Sequence, residues 1–543
     1  MGPGRKMCYS ARIVRGSFSL LCLIAISSQL YGETASDSST GKPPDAGVAS
    51  AGADLDEPLR PYVGDAEETP AGSTPLPFTS LPNAVAFIHR QRGLGGRGLP
   101  ATFYVPEGSW IPNSRRELII SEGVGLYDTA LAIIALVEAG DLATAREILD
   151  IYKDGTYSRK AQVPMELRAY PNRDNGGAFS TFDEKAHYFF DFTNVHGEWL
   201  RWRERWEFWA AHSGPNAWLT NALVRFIEVS RRQGVSAEQL QPYVDLARML
   251  GEAMRRLQDA KALGGVRYGP ENQYFEEGTA APFDQINSEN NISAYVAFRM
   301  LYRLTGDPAY DDAAGKILEW FRNAPVFMPD GRAVRGLYDP ETSTLEMGAE
   351  FKNGHWVLQP EHPTDSGGTW TISSLGPEKI DALWGPGAAY RMWKTIRARA
   401  GRTADFKAAH EQDVLAGLDY TDVFPENESL ISPEWTAGGL FALKLLVVYY
   451  KGSTGRGVLT RDQIHGMERD RRSMAEFVRH QPNSYAIGPG HGGRRRGQTG
   501  FGWSAPPPEV QGMSSIYVAL YLGGKSDPSA WWHKYSARPG ASE

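Results

Sequence analysis

The sequence predicts an all-α fold in which about six helical hairpins build an inner ring of helices wrapped by an outer one. Three observations carry this. Segments with apolar residues at three- and four-residue spacing recur along the chain in adjacent pairs. Within each pair the first member is more apolar and alanine-rich and the second is amphipathic, as required when inner helices touch neighbours all round and outer ones on one face. Turns inside the pairs are short and loops entering each first helix are long, so one end carries most of the loop mass and is where chemistry is expected. The 543 residues can bury a large core, and 41% apolar with 22% charged residues exclude a wholly disordered or fibrous chain.

Along the chain, Met1–Gly16 carries Arg5, Lys6, Arg12 and Arg15 and no acid, and a short apolar stretch, Ser17–Ile26, follows. This is the layout of a secretory signal peptide, so residues 1–32 read as a leader and the protein as exported, to the periplasm or beyond. Cys8 and Cys22 both lie in it, which leaves the mature chain without disulfides or a Cys-ligated metal. Residues 33–77 read as a disordered linker rich in Pro, Gly, Ser and Ala, with nine acidic and two basic residues. The folded part is expected to be one domain over 78–543. The formal charge of the whole chain, −7, argues against a general nucleic-acid binder, and no run of 18 apolar residues exists to span a membrane.

The helix pairs follow in order. Tyr127–Gly140 precedes Leu142–Tyr152, Pro215–Gln233 precedes Ala237–Ala262, and Asn290–Thr305 precedes Pro308–Asn323. Glu378–Ala400 reads as the fourth inner helix, with a helix near Thr403–Gly417 as its partner. Pro433–Lys451 precedes Arg461–His480, and Glu509–Leu522 is the last helix. Ala139-Gly140-Asp141 and Thr305-Gly306-Asp307 are the tight turns of antiparallel hairpins.

Over roughly Ser80–Trp532 this pattern resembles the six-hairpin glycosidase superfamily, the (α/α)6 toroids. The resemblance implies a carbohydrate substrate, a cleft at the end bearing the long loops, and no cofactor in most members. The same barrel hosts polysaccharide lyases and sugar epimerases, so fold does not fix function. Ser121-Glu122-Gly123-Val124-Gly125 is similar to the Ser-Glu-Gly-x-Gly motif of family-8 glycoside hydrolases, and the resemblance implies that Glu122 is a proton donor. Leu126-Tyr127-Asp128 departs from that family's Tyr-Gly-Met. A Gly-rich turn with Asp128 at a helix N-terminus, where the dipole favours a carboxylate, explains the same residues without catalysis.

Other carboxylates stand at the mouths of inner helices. Glu289 lies in Asn287-Ser288-Glu289-Asn290-Asn291, a crowd of amides suited to hydroxyls, although an acid in a first helical turn is also ordinary. Asp365-Ser366-Gly367-Gly368-Thr369-Trp370 reads as a loop and candidate sugar subsite. Glu434 follows Pro433 at a favoured first position, with Trp435 as a stacking platform. Glu509 opens the last helix in the same manner. Glycoside cleavage passes through an oxocarbenium-like state and needs one protonated acid and one ionised carboxylate. An inverting pair stands about 6.5–9.5 Å apart with water between. A helix N-terminus lowers a carboxyl pKa, so a first-turn Glu suits the base better unless buried.

Trp199, Trp202, Trp206 and Trp209 fall on one helical face, either a core stripe or a wall for pyranose rings. His212-Ser213-Gly214-Pro215-Asn216 follows, making Asn216 a candidate sugar ligand. Gly488–Gly502, with Arg494, Arg495 and Arg496, is a basic Gly-rich loop without the phosphate-loop pattern. No His-Glu-x-x-His, EF-hand or Cys/His cluster occurs, so neither metal nor cofactor is expected.

The leading reading is an exported, monomeric glycoside hydrolase acting on a polysaccharide or envelope glycan. Glu289, with Glu122 or Asp128, supplies acid and base, and Glu434 is the reserve. Tyr127, Asn216, Asn290, Asn291, Asp365, Trp370 and Trp435 are the candidate substrate contacts. A polysaccharide lyase using Tyr127, His196 or His212 is the alternative, and a glycan-binding envelope protein the third.

Overall fold

The computed structural model describes residues 78–93, 98–104, 123–157, 188–189, 191–194, 211–258, 260–271, 282–419, 431–480, 511–512 and 515–528. The expected leader and linker lie outside these residues. So do Glu122, His196, Trp199, Trp202, Trp206, Trp209, Gly488–Gly502 and Glu509.

The helices in chain order are α1 (Leu81–Gly93), α2 (Leu126–Ala139), α3 (Leu142–Tyr157), α4 (Ser213–Arg232), α5 (Ala237–Arg256), α6 (Ser288–Thr305) and α7 (Pro308–Asn323). Then come α8 (Trp370–Leu375), α9 (Pro377–Trp384), α10 (Ala388–Ala400), α11 (Pro433–Lys451), α12 (Arg461–His480) and α13 (Ile516–Leu522). Helix α2 packs on α4, α4 on α6, α6 on α8, α8 on α11, α11 on α13, and α13 returns to α2. This closed circuit is the inner ring of an (α/α)6 toroid.

The burial patterns match the two layers. Every residue of α2 is buried, whereas α12 buries only Met467, Asp470, Met474 and Val478, one stripe at three- and four-residue spacing. Helix α3 packs on α2 and α4, α5 on α4 and α6, α7 on α6, and α12 on α11 and α13. The tight turns are as the sequence requires. Gly140 and Gly306 close their helices at φ of 89° and 71°, a region that side chains with a Cβ avoid. Asp307 then caps α7, its carboxylate accepting from the Ala309 N–H at 3.0 Å.

Five features differ from the expectation. The last helix is Ile516–Leu522, and Gln511–Gly512, expected inside it, is a strand paired with Phe103–Tyr104. The fourth inner helix is Asp365–Leu375, a π-helical turn (Asp365–Thr369) running into α8, where a loop was expected. Glu378–Ala400 is not an inner helix. It is the outer pair α9 and α10, broken at Gly385-Pro386-Gly387, and Asp381 accepts from the Gly387 and Ala389 N–H groups at 2.9 and 3.0 Å to cap the second piece. Thr403–Gly417 is not helical; Gly401–Arg402 and Gly417–Leu418 pair as a short antiparallel ribbon. The sixth outer position is filled from the N-terminal side, because α1 packs on both α13 and α2.

The connections before α6 and after α7 also carry structure absent from the periodicity. Strands Gln285–Asn287, Gly348–Lys352, His355–Gln359, Pro325–Phe327 and Ala333–Arg335 hydrogen-bond in that order as one sheet. Its first strand delivers the chain directly into α6. No helix among the described residues is long and apolar enough to cross a membrane.

Candidate active site at the helix mouths

Four inner helices begin with one construction. The residue before each is Gly125, His212, Asn287 or Ser432, all in extended backbone. On three of them a side chain four positions further on reaches back. Thr129 Oγ1 donates to the Gly125 carbonyl at 2.8 Å, Asn216 Nδ2 to that of His212 at 2.9 Å, and Asn291 Nδ2 to that of Asn287 at 2.8 Å. Thr436, in the same place on α11, accepts from the Leu418 N–H at 2.9 Å. The position two residues past each cap is therefore equivalent, and it holds Tyr127, Gly214, Glu289 and Glu434.

Two of these residues meet. The Tyr127 hydroxyl donates to Glu434 Oε1 at 2.6 Å, with both side chains buried. Helices α2 and α11 are not consecutive in the ring, since α13 stands between them, so this bond spans the inside of the ring. Burial, and then the Glu434 carboxylate, push the Tyr127 phenol well above its ordinary pKa. Tyr127 therefore stays a neutral donor, and Glu434, in the first turn of α11, accepts from it. Asp128 also acts on Tyr127 through its charge. Its own carboxylate is buried beneath the turn, because a Cβ at Gly125 would stand 2.3 Å from Asp128 Oδ2.

Aromatic rings surround this pair. Tyr127 meets Trp218 edge-on at 5.2 Å between centroids, and Trp370 lies 5.5 Å from Trp218. Tyr517 completes the cluster beside Trp218 at 6.2 Å. The indole Nε1 atoms of Trp218 and Trp370 are buried and have no hydrogen-bond partner. Trp370 and Trp435 are each only 1% exposed, so neither presents an open stacking face. This corrects the expectation that they are platforms: Trp370 lines the axis and Trp435 packs in the core. Sequence spacing had singled out neither Trp218 nor Tyr517, because both read as ordinary core positions of apolar helices.

Glu289 is the half-buried member of the set, in the first turn of α6. Its neighbour Asn290 lies over Gly214 of α4, where a Cβ would be 2.3 Å from Asn290 Oδ1, and Asn290 Nδ2 is buried without a partner. Asn216 and Asn291 are different. Asn216 Oδ1 accepts from the Phe189 N–H at 2.8 Å and Nδ2 donates to the Phe189 carbonyl at 2.9 Å. Asn291 clamps Val266 in the same way, at 2.7 and 2.9 Å. With their bonds to the caps, both amides are used by the scaffold, which corrects their assignment as sugar ligands. Asn291→Ala is expected to cost about 2–4 kcal/mol in urea unfolding, from three lost bonds and two stranded backbone groups.

Asp365 is buried in the π-helical turn and receives the Ser366 N–H, while its Oδ2 has no hydrogen-bond partner. Burial pushes its carboxyl up from 3.8 to about 6. The folded state thus holds the proton more tightly than the unfolded chain. The protonated form favours folding, and that contribution is lost as pH rises from about 4 through 6. Asp365→Asn is expected to remove this slope, gaining about 1–3 kcal/mol at pH 8 and almost nothing at pH 4 in parallel denaturant titrations.

A residue missed in the sequence is Asp191. It accepts the His212 N–H at 3.0 Å, and its second oxygen holds His212 Nδ1 in a short hydrogen bond. Burial raises the Asp191 pKa, with His212 opposing. His212 lies over the Tyr268 ring at 4.0 Å between centroids. Nothing in the local sequence links residues 21 apart in this way.

No protein-family model and no curated protein matches this chain. Among solved structures, it is similar to an inactive variant of the α-1,6-mannanase GH76A of Salegentibacter sp. HEL1_6, in complex with α-1,6-mannotriose. The identity is 12%, covering 83% of this chain and 98% of that one, with a TM-score of 0.43. It is similar to the cellobiose 2-epimerase of Bacillus thermoamylovorans B4167 at 12% identity over 74% and 88%, TM-score 0.43. A sugar epimerase from a ruminal bacterium matches at 12% over 83% and 99%, TM-score 0.44. These neighbours belong to the six-hairpin glycosidase superfamily. The architecture of this chain rests on its own closed circuit of inner helices.

Proposed function

We propose that this chain is an exported carbohydrate-active enzyme that hydrolyses a glycan bound at the mouth of the ring. The observation that carries the reading is the buried Tyr127–Glu434 bond between the mouths of α2 and α11, with the half-buried Glu289 at the equivalent position of α6. A carboxyl group set among aromatic rings at the shared helix mouths suits a sugar and the positive charge that develops at its anomeric carbon. Glu289 occupies the equivalent position on α6 and is half-buried, so it is the carboxylate assigned to activate water. Asn290 beside it offers its amide to a hydroxyl. Glu122, on the segment leading into Gly123–Gly125, is assigned to protonate the leaving oxygen, with an inverting course. The raised phenol of Tyr127 weighs against the lyase alternative, which needs a base at that position.

The test is to incubate the purified protein with a panel of neutral and uronic polysaccharides and follow products by mass spectrometry. Products that gain one water support hydrolysis. Unsaturated products without added water overturn it in favour of a lyase, and an isomer of unchanged mass in favour of an epimerase. Binding without any product leaves a glycan-binding protein.

A further inference from the structure

We propose that Asp339, Glu346 and His362 bind one divalent first-row transition-metal cation, of the zinc or manganese class. Asp339 ends the first strand of a small hairpin, Tyr338–Asp339 with Thr344–Leu345, Glu346 directly follows the second strand, and His362 stands on the segment leading into the π-helical turn. One donor atom from each residue lies within 4.8 Å of the others. His362 Nε2 and Glu346 Oε2 are 3.6 Å apart, too far for a hydrogen bond and close to the separation of two ligands each about 2.0–2.2 Å from a shared ion.

The hydroxyls around the site set the protons. Thr342 Oγ1 donates to Asp339 Oδ2 at 2.8 Å. With that proton used, Thr344 Oγ1 must donate to Thr342 Oγ1 across their 2.7 Å contact. Thr344 Oγ1 is then left to accept from His362 Nδ1 at 3.0 Å. This chain turns His362 Nε2 toward Glu346 and orients both a carboxylate and an imidazole through outer partners, the usual support of a metal ligand.

The second, independent observation is Glu346 itself. The residue is 5% exposed, and its Oε2 is buried without a hydrogen-bond partner. Ionised, that oxygen lacks a donor. Protonated, its O–H would face the His362 Nε2 acceptor only at 3.6 Å, too far for a hydrogen bond. A cation between it and the imidazole satisfies it. The nitrogen donor selects against calcium and magnesium, which take oxygen ligands. Three protein ligands leave a coordination position for water. The ligand spacing, seven and then sixteen residues, matches no short metal motif, so sequence patterns do not signal it.

The consequence reaches the candidate active site through the backbone. Ser288, the first residue of α6, donates its hydroxyl to the Glu346 carbonyl at 2.6 Å and its N–H to the Met347 carbonyl at 2.8 Å. A cation on Glu346 would steady the Glu346–Met347 link from which the mouth of α6, with Glu289, is hung. The proposal does not depend on the hydrolase reading.

The full-length protein, stripped with chelator, is titrated with Zn2+ and with Mn2+. Bound metal is counted by mass spectrometry of the metal after desalting, and thermal unfolding is followed in parallel. One equivalent should bind and raise the unfolding temperature, and Ca2+ should do neither. Glu346→Gln and His362→Ala should each lose that equivalent while keeping the helical circular dichroism of the parent. Should either variant fail to fold, Asp339→Asn on the hairpin supplies the same comparison. No bound metal in the parent, or an unchanged equivalent in the folded variants, overturns the site.

Discussion

Glu289→Gln is expected to lower turnover on a cleaved glycan by about 10²–10⁴-fold, with KM changed little. The substitution keeps size and hydrogen-bonding capacity and removes only the ability to take a proton from water. Glu289 is half-buried in the first turn of α6, so the change should leave the fold intact. Tyr127→Phe separates this role from that of Glu434. It removes the donor at 2.6 Å from a buried acidic group, so it should reduce both activity and stability. Steady-state kinetics with a circular-dichroism control decides the matter. Full activity in Glu289→Gln would remove Glu289 from the mechanism and make Glu434 the acting carboxylate.

Asp419→Ala is expected to destabilise the protein by about 3–5 kcal/mol. Asp419 Oδ2 pairs with Arg402 Nη2 at 2.8 Å and Nε at 3.1 Å, and both residues are buried. The pair joins the ribbon that precedes α11, and the Asp419 backbone also accepts from Thr364 Oγ1 at 2.7 Å, next to the π-helical turn. Removing the carboxylate strands a guanidinium in the interior. Arg402→Met combined with Asp419→Leu should recover much of the loss, because an apolar pair needs no desolvated charge. Urea unfolding of the single and double variants measures both effects. A double variant no better than the single would mean that packing, not the stranded charge, sets the cost.

The readable parts of the sequence were those with a local cause. Alternation of apolar α2 with amphipathic α3, and a glycine at 140 able to take a left-handed turn, are decided within a few residues. The misread parts had a distant cause. Gly367-Gly368 with Ser and Thr neighbours has poor helix propensity and reads as a loop. In the fold, a Cβ at Gly368 would stand 2.2 Å from Ile396 of α10. Glycine there permits two helices to approach, and the approach makes the helix. The break at Gly385-Pro386-Gly387 was visible in the sequence, and running one helix through it placed the fourth inner helix on the wrong segment.

The site divides in the same way. The sequence alone determined that carboxylates and amides crowd the starts of inner helices, because caps and first turns favour those side chains whatever their use. It also determined the hairpin order and therefore which end the mouths share. Only the tertiary structure decided which of those polar groups are scaffold and which face one another. Asn216 and Asn291 looked like ligands and are backbone clamps. Tyr127 and Glu434 stand 307 residues apart and bond because the ring closes. Closure is a property of all six inner helices packed together, and no window of sequence short enough to read contains it.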